Sequence, residues 1–180
     1  MWWKLQLLYG AVWTKINMKK SKGFTLIELL VVVSIMLIFI GGTLAQYNTF
    51  TEQTKLKNDG KKLVDVLELA KKKALTSDLQ DKNCTNFTGY RLTLNTNNYS
   101  LIFCCGSNCA TPTTIGTYNF NTNVSIFSGT GNLNFPPLMT GANITINSVQ
   151  LKNSIINKCV TISISAIGII ELNETLATCL

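Results

Sequence analysis

The sequence predicts an α+β protein in which a long N-terminal helix, its first half transmembrane, packs on an antiparallel β-sheet head. Residues 24–45 form an apolar stretch of 22 residues with one charge, and residues with helical periodicity follow it. From residue 83 the composition shifts to Asn, Thr, Ser, Ile and Val, in short alternating runs punctuated by glycine and proline. We therefore divide the chain into a basic leader at 1–23, a helical region at 24–82 and a β-rich, disulfide-containing head at 83–180.

The leader carries the basic excess of the chain. The formal net charge is +7 at pH 7, and the first 23 residues hold five lysines and no acidic residue. Three of them stand directly before the apolar stretch: Lys19, Lys20 and Lys22. Positive charge before a membrane helix keeps that end in the cytoplasm. The head is nearly neutral, which argues against nucleic-acid binding.

Residues 1–17 are rich in aromatic residues but too short and interrupted to span a bilayer. Two interpretations stay open. Either translation starts at Met18 and residues 1–17 are a wrongly assigned extension, or they form a cytoplasmic or interfacial arm. We favour the first, and in both cases these residues are left out of the fold prediction.

The apolar stretch predicts a transmembrane segment at about residues 24–46. At about 1.5 Å of rise per residue it crosses a hydrocarbon core of about 30 Å. It differs from a secretory signal because no small-x-small cleavage site follows it and its apolar run is longer than such signals have. Its one charge, Glu28, costs roughly 2.5–3.5 kcal/mol at mid-bilayer and less near an end, so it needs a reason.

The second half of the helical region is amphipathic and is expected to end near residues 76–81. Its apolar positions recur at helical spacing: Leu63, Val66, Leu67, Ala70 and Ala74. Gly60 is a candidate break or kink. The lysine run Lys71–Lys73 is interpreted as a solvated face of the helix.

The head contains alternating runs that are typical of β-strands. Residues 90–94 and 99–103 alternate around Asn95–Asn98 and predict a hairpin. The other strand candidates are 115–120, 123–127, 143–146, 159–165 and 168–172. The last two of these predict a second hairpin.

All six cysteines follow the apolar stretch: Cys84, Cys104, Cys105, Cys109, Cys159 and Cys179. An even number placed only on the exported side predicts disulfides in an oxidising compartment. Cys159 could pair with Cys179, which would leave Cys84 with the remaining three. A thiolate metal site is disfavoured because the chain has no histidine and the spacing is not that of a zinc ribbon.

The stretch Lys-Gly23-Phe24-Thr-Leu-Ile-Glu28-Leu-Leu, followed by an apolar helix, closely resembles the class III signal of type IV pilins and pseudopilins. The resemblance implies that a membrane aspartic peptidase cleaves after Gly23 on the cytoplasmic side. It implies also that the new amine of Phe24 is N-methylated. In this family the glutamate pairs with the N-terminal ammonium of a neighbouring subunit, which would offset its desolvation and set the register of a helical filament.

Two further stretches resemble the FimT/GspH minor pilins. Residues 69–75 resemble their helix, and residues 160–170 resemble their late V-x-I-S-x-x-G-x-I hairpin. Many major pilins carry a helix proline near the position of Ala45, and this chain has none there. The major pseudopilin uses a late acidic calcium loop, whereas residues 83–180 contain no Asp. Both departures favour a minor subunit.

The resemblance also implies a location and partners. The protein would be a single-pass inner-membrane protein with its N-terminus inside and its head outside, and would then join an extracytoplasmic fibre. Its partners would be other pilins or pseudopilins, the prepilin peptidase/N-methyltransferase and an inner-membrane assembly platform. Type II secretion, type IV pilus and competence pilus subunits share this N-terminal chemistry, so the motif does not separate them.

The leading functional hypothesis is a minor pilin or pseudopilin that serves as a structural subunit of such a fibre. The alternative is a ligand-binding module at the fibre tip, for DNA uptake, a secreted substrate or surface adhesion. Enzymatic activity is not expected, because the chain has no histidine and no set of nucleophile and base. We expect no cofactor and no metal.

Overall fold

The computed structural model of the protein describes residues 23–79, 83–137, 146–165 and 167–179. Within these residues one long α-helix is followed by strands that form antiparallel sheets, so the predicted α+β class is confirmed. The predicted leader lysines and both interpretations of residues 1–17 lie outside the described residues.

Helix α1 is one continuous element, Leu26–Leu75, of 50 residues. It is long and apolar enough to cross a membrane, judged by length and composition. The chain divides into two compact units, Met1–Gly42 and Thr43–Leu180, and α1 contributes residues to both. The helix ends just before the predicted region, where Ser77 adopts a left-handed conformation with φ of 49°.

The strands form two four-stranded sheets where the sequence predicted one. The described strands, in chain order, are β1 (Phe87–Leu94), β2 (Asn98–Cys105), β3 (Thr111–Asn119), β4 (Val124–Ser128), β5 (Gly131–Phe135), β6 (Ser148–Asn153), β7 (Lys158–Ile164) and β8 (Ile170–Ala177). The first sheet has the order β3-β2-β1-β5 and the second β4-β6-β7-β8. The chain leaves the first sheet after β3 and returns to it with β5, a crossover that local periodicity does not encode.

Both predicted hairpins are present. Strands β1 and β2 pair antiparallel with Leu94 opposite Tyr99, and β7 pairs with β8 with Ile164 opposite Ile170. A 3-10 turn, Ser107–Cys109, leads from β2 towards β3. The expected strands near 115–120 and 123–127 correspond to β3 and β4.

Strands β5 and β6 were not predicted. Strand β5 is five residues long and begins with a glycine, which weakens the β signal. Strand β6 does alternate, but its third inward position after Val149 and Leu151 is the fully buried polar residue Asn153. Of the expected strand at 143–146, residues 143–145 lie outside the described residues and Ile146 lies in no strand.

A single apolar core joins the later part of α1 to both sheets. The helix contributes all the predicted apolar positions, and Leu56 extends the same stripe by almost two turns. The large side chains that complete the core from the strands include Tyr90, Phe103, Phe135, Leu151 and Ile162. The amphipathic helix therefore covers the sheets, as its periodicity predicts.

The expected break at Gly60 is wrong, because α1 runs through this residue without interruption. Gly60 is buried against the second sheet, and a Cβ there would lie 3.1 Å from Leu172 Cδ1 and 3.4 Å from Val160 Cγ2. The glycine allows the helix backbone to approach β7 and β8 closely.

Candidate processing and assembly site

The predicted cleavage site lies directly before the first turn of α1. Residues 23–25 are not helical, and the helix begins at Leu26. Thr25 caps this end, because the Glu28 backbone N–H donates to Thr25 Oγ1 at 3.3 Å and the Leu29 N–H donates to the Thr25 carbonyl at 3.1 Å. The Thr-x-x-Glu spacing is that of a capping box. The Gly23–Phe24 bond is thus outside the helix and accessible.

Gly23 has no steric role in the fold that the described residues show. A Cβ built on it meets no other described atom within 4 Å. Phe24, which follows it, is 80% exposed. A requirement for glycine at this position would therefore come from an enzyme that binds the segment, and not from packing within the chain.

Glu28 occupies the third position of the helix, close to the positive end of the helix dipole. Its side chain is exposed, and the ion pairs found among the described residues do not include it. A carboxylate in this position is open to a cationic partner from outside the described chain. The structure thus leaves Glu28 accessible without assigning it a partner.

The helix surface after Glu28 is apolar on every side. The large side chains from Leu29 to Ile40 are exposed around the whole helix. The polar residue of this run, Ser34, donates its hydroxyl to the Leu30 carbonyl at 2.8 Å, so its hydroxyl is satisfied within the helix. A helix that is hydrophobic all round is suited to a lipid environment or to burial among other helices.

Two carboxylates on α1 hold turns of the head, and sequence reasoning missed both. Asp59 is 1% exposed and accepts two hydrogen bonds of 2.7 Å from Asn121, one from its backbone N–H and one from its side-chain amide. Asn121 lies between β3 and β4, at the crossover from the first sheet to the second. Asp59 therefore ties this crossover to the helix.

Glu52, two turns before Asp59, anchors the turn after β6. Its carboxylate accepts hydrogen bonds from Lys55 Nζ at 2.6 Å and from Asn153 Nδ2 at 2.7 Å. Asn153 in turn accepts the N–H of Ile155 through Oδ1 at 2.9 Å. The hydrogen bond from Lys55, then that from Asn153, holds the pKa of the Glu52 carboxyl below its ordinary value of 4.5.

The sequence contained a signal for these carboxylates. The apolar stripe of α1, read backwards from Leu63, passes through positions 59, 56 and 52 at helical spacing. An acidic residue on such a stripe faces the core and needs a partner there. The partners themselves, Asn121 and Asn153, are far away along the chain.

The interpretation of Lys71–Lys73 as a solvated face is wrong for two of the three residues. Lys71 Nζ donates to the Gly168 carbonyl at 2.7 Å, and Lys73 Nζ bonds Asp78 Oδ2 at 2.6 Å. Lys72 is exposed as expected. Lys71 thus ties the C-terminal end of α1 to the β7–β8 turn of the head, and Lys73 binds the chain just after the helix.

The six cysteines form three disulfides, so the predicted oxidised state is confirmed. The pairs are Cys84–Cys105, Cys104–Cys109 and Cys159–Cys179. The third is the pairing that the sequence suggested as possible, and the first two lie within the set of four cysteines that it would leave. Together they join the segment before β1 to β2, the 3-10 turn to β2, and the C-terminus to β7.

Comparison with known proteins gives a match for the N-terminal segment of the chain. A family model for the prokaryotic N-terminal methylation motif matches residues 18–44. No curated protein and no solved structure matches the chain. The chain thus carries a type IV pilin-like prepilin signal, which supports a type IV pilin-like or pseudopilin subunit and is consistent with an anchor in the inner membrane. The FimT/GspH assignment stays a prediction.

Proposed function

We propose that this chain, which carries the N-terminal methylation motif, is a minor pilin or pseudopilin. It is inserted in the inner membrane, cleaved after Gly23 and assembled through its N-terminal helix into an extracytoplasmic fibre. The observation that carries the proposal is the motif at residues 18–44, placed at the start of a continuous 50-residue helix. The role is structural, as in the family that the motif describes.

Cleavage and methylation act on the segment before the helix. An accessible, non-helical Gly23–Phe24 bond can enter a peptidase active site without unwinding α1. Hydrolysis of this bond leaves Phe24 with a free amine, which then takes a methyl group from the methyl-donor cosubstrate of the methyltransferase and releases a proton. The lysines Lys19, Lys20 and Lys22 keep this end on the cytoplasmic side, where the peptidase acts.

Assembly uses Glu28 as the electrostatic contact. In the processed chain the ammonium of Phe24 lies four residues before this carboxylate, at the same end of the helix. In a lipid environment each charge is costly alone, so an ammonium from a neighbouring subunit that pairs with Glu28 offsets both costs. Because only one register places these charges together, the pair also aligns neighbouring helices.

The head is suited to the outer side of the membrane. With about residues 24–46 in the bilayer and the basic leader inside, residues 83–180 are exported. The three disulfides that close the head persist in an oxidising compartment. This arrangement supports a single-pass subunit with its head on the outer side.

The test is the intact mass of the protein purified from membranes of cells with an active peptidase. We expect a chain that starts at N-methyl-Phe24, and six alkylated cysteines only after reduction. Gly23→Val should leave the leader attached. Gly41→Val is the matched control, since a Cβ at Gly41 also meets no described atom within 4 Å, and it should be processed normally.

A chain that keeps its leader in wild-type form would overturn the proposal. The protein would then be an N-terminally anchored domain without a place in a fibre. Processing of Gly23→Val at the wild-type rate would refute the role of this glycine in recognition.

A further inference from the structure

Two aromatic side chains follow directly after the expected membrane span. Tyr47 is 68% exposed and Phe50 is 67% exposed, although both are large and apolar. Their spacing of three residues places them on neighbouring positions of one helix face. This face is not covered by the core of the head.

The polar groups on the same face are satisfied within the helix. Thr51 Oγ1 donates to the Tyr47 carbonyl at 2.9 Å, and Thr54 Oγ1 donates to the Phe50 carbonyl at 2.9 Å. These bonds lower the cost of placing the hydroxyls in a partly dehydrated layer. Tyr47, Phe50 and both threonines line one end of an open groove of about 370 Å³.

The groove changes character along the helix. Further along the helix the lining residues are Lys55, Asn58 and Lys62, and Asn121 from the connection between β3 and β4 completes the lining. Lys55 and Lys62 lie about 14 Å and about 24 Å beyond residue 46 at a rise of about 1.5 Å per residue, which is past a headgroup layer of about 5–8 Å. The Lys55 ammonium is already bonded to Glu52 Oε1 at 2.6 Å. Tyrosine and other aromatic rings, in contrast, favour the level of the lipid headgroups. The aromatic part of the groove is therefore the part that lies at the level of the headgroups, and its lysines lie on the aqueous side.

We propose that Tyr47 and Phe50 form an interfacial anchor, which contacts the lipid headgroup layer on the outer side of the membrane before the subunit is assembled. The inference rests on the membrane insertion in the proposed function. Residues one and four positions beyond a span that ends near residue 46 lie at most about 6 Å further along the helix, within a headgroup layer of about 5–8 Å. The occupant of this face is thus a phospholipid surface.

The test measures the depth of a single tryptophan in the full chain. Trp2, Trp3 and Trp13 are the tryptophans of the sequence, and all three are changed to phenylalanine. Phe50→Trp is then introduced, and the protein is reconstituted in phosphatidylcholine vesicles whose acyl chains carry bromine at defined depths. Val33→Trp, within the span, and Ile167→Trp, which is 66% exposed in the β7–β8 turn, are the controls.

We expect the tryptophan in Phe50→Trp to show a blue-shifted emission. Bromines at shallow positions of the acyl chains should quench this emission more strongly than bromines at deep positions. Val33→Trp should be quenched most by deep bromines, and Ile167→Trp should be unaffected. Tyr47→Trp provides a second probe of the same face and should behave like Phe50→Trp.

Three results would overturn the anchor. A water-like emission from Phe50→Trp, with Val33→Trp still quenched, removes the anchor and leaves membrane insertion intact. A blue-shifted emission that bromine does not quench assigns the face to a protein contact, such as a second copy of this chain. An unquenched Val33→Trp shows that the span is not inserted, and then the proposed insertion fails as well.

Discussion

The carboxylate of Asp59 on helix α1 accepts two hydrogen bonds of 2.7 Å from Asn121, one from the backbone N–H and one from the side-chain amide. The two residues are 62 positions apart in the chain. Asn121 lies where the chain passes from the first sheet to the second. One buried side chain of the helix therefore fixes the point at which the two sheets separate.

Removal of this carboxylate should destabilise the head. Asp59→Ala leaves two donors of Asn121 without their acceptor, and we expect the free energy of unfolding to fall by about 1–3 kcal/mol. The measurement is urea unfolding of the full chain in detergent micelles, followed by circular dichroism. Asp65→Ala, at an exposed position of the same helix, should change it by no more than about 0.5 kcal/mol. Equal effects of the two substitutions would contradict the role of Asp59.

The stability of the head should depend on pH through Glu52. Its pKa in the folded protein is below the ordinary value of 4.5, so its ionised form stabilises the fold above that value. That contribution is lost as the pH falls below 4.5 and through the folded-state pKa. In Glu52→Gln the stability should decline less over this range than in the wild type. Glu171→Gln, at an exposed position, should keep the wild-type dependence. A wild-type slope in Glu52→Gln would show that this carboxylate is not linked to folding.

A larger side chain at Gly60 should separate the helix from the second sheet. Because a Cβ there would already lie 3.1 Å from Leu172 Cδ1, Gly60→Val should cost about 1–3 kcal/mol of stability through overpacking. Leu172→Ala removes the side chain that is in the way. The loss of stability in the double variant should therefore be smaller than the sum of the losses in the two single variants. If the two losses measured by thermal unfolding are simply additive, the close approach of α1 to β8 does not limit the size of the side chain at position 60.

The disulfides that close longer loops should contribute more to the free energy of unfolding. Cys159–Cys179 spans 20 residues and Cys104–Cys109 spans 5. On the chain-entropy model, the loss of these bonds should cost about 3 and about 2 kcal/mol, respectively. The comparison is urea unfolding of the variants in which both cysteines of one pair are changed to alanine. A larger loss from the short loop would show that contacts within the 3-10 turn, rather than loop entropy, set its contribution.

The N-terminal features of this protein are encoded locally, and sequence reasoning identified them. The signal around Gly23, Phe24 and Glu28 and the apolar run are read within about two dozen consecutive residues, and the family match covers the same segment. The amphipathic stripe and both hairpins were likewise predicted, because each depends on periodicity within one or two neighbouring elements.

The division of the strands into two sheets, the closeness of Gly60 to Leu172, and the partners of Asp59 and Glu52 came only from the tertiary structure. Each joins residues that are far apart in the chain, so no local period reveals it. Asn153 is an example. As a polar residue it weakens the alternating pattern of β6, yet it is buried because its side-chain amide donates a hydrogen bond to the Glu52 carboxylate on the helix. Periodicity predicts which face of its element a residue occupies. The residue's partner, in contrast, depends on which distant elements pack together in the shared core.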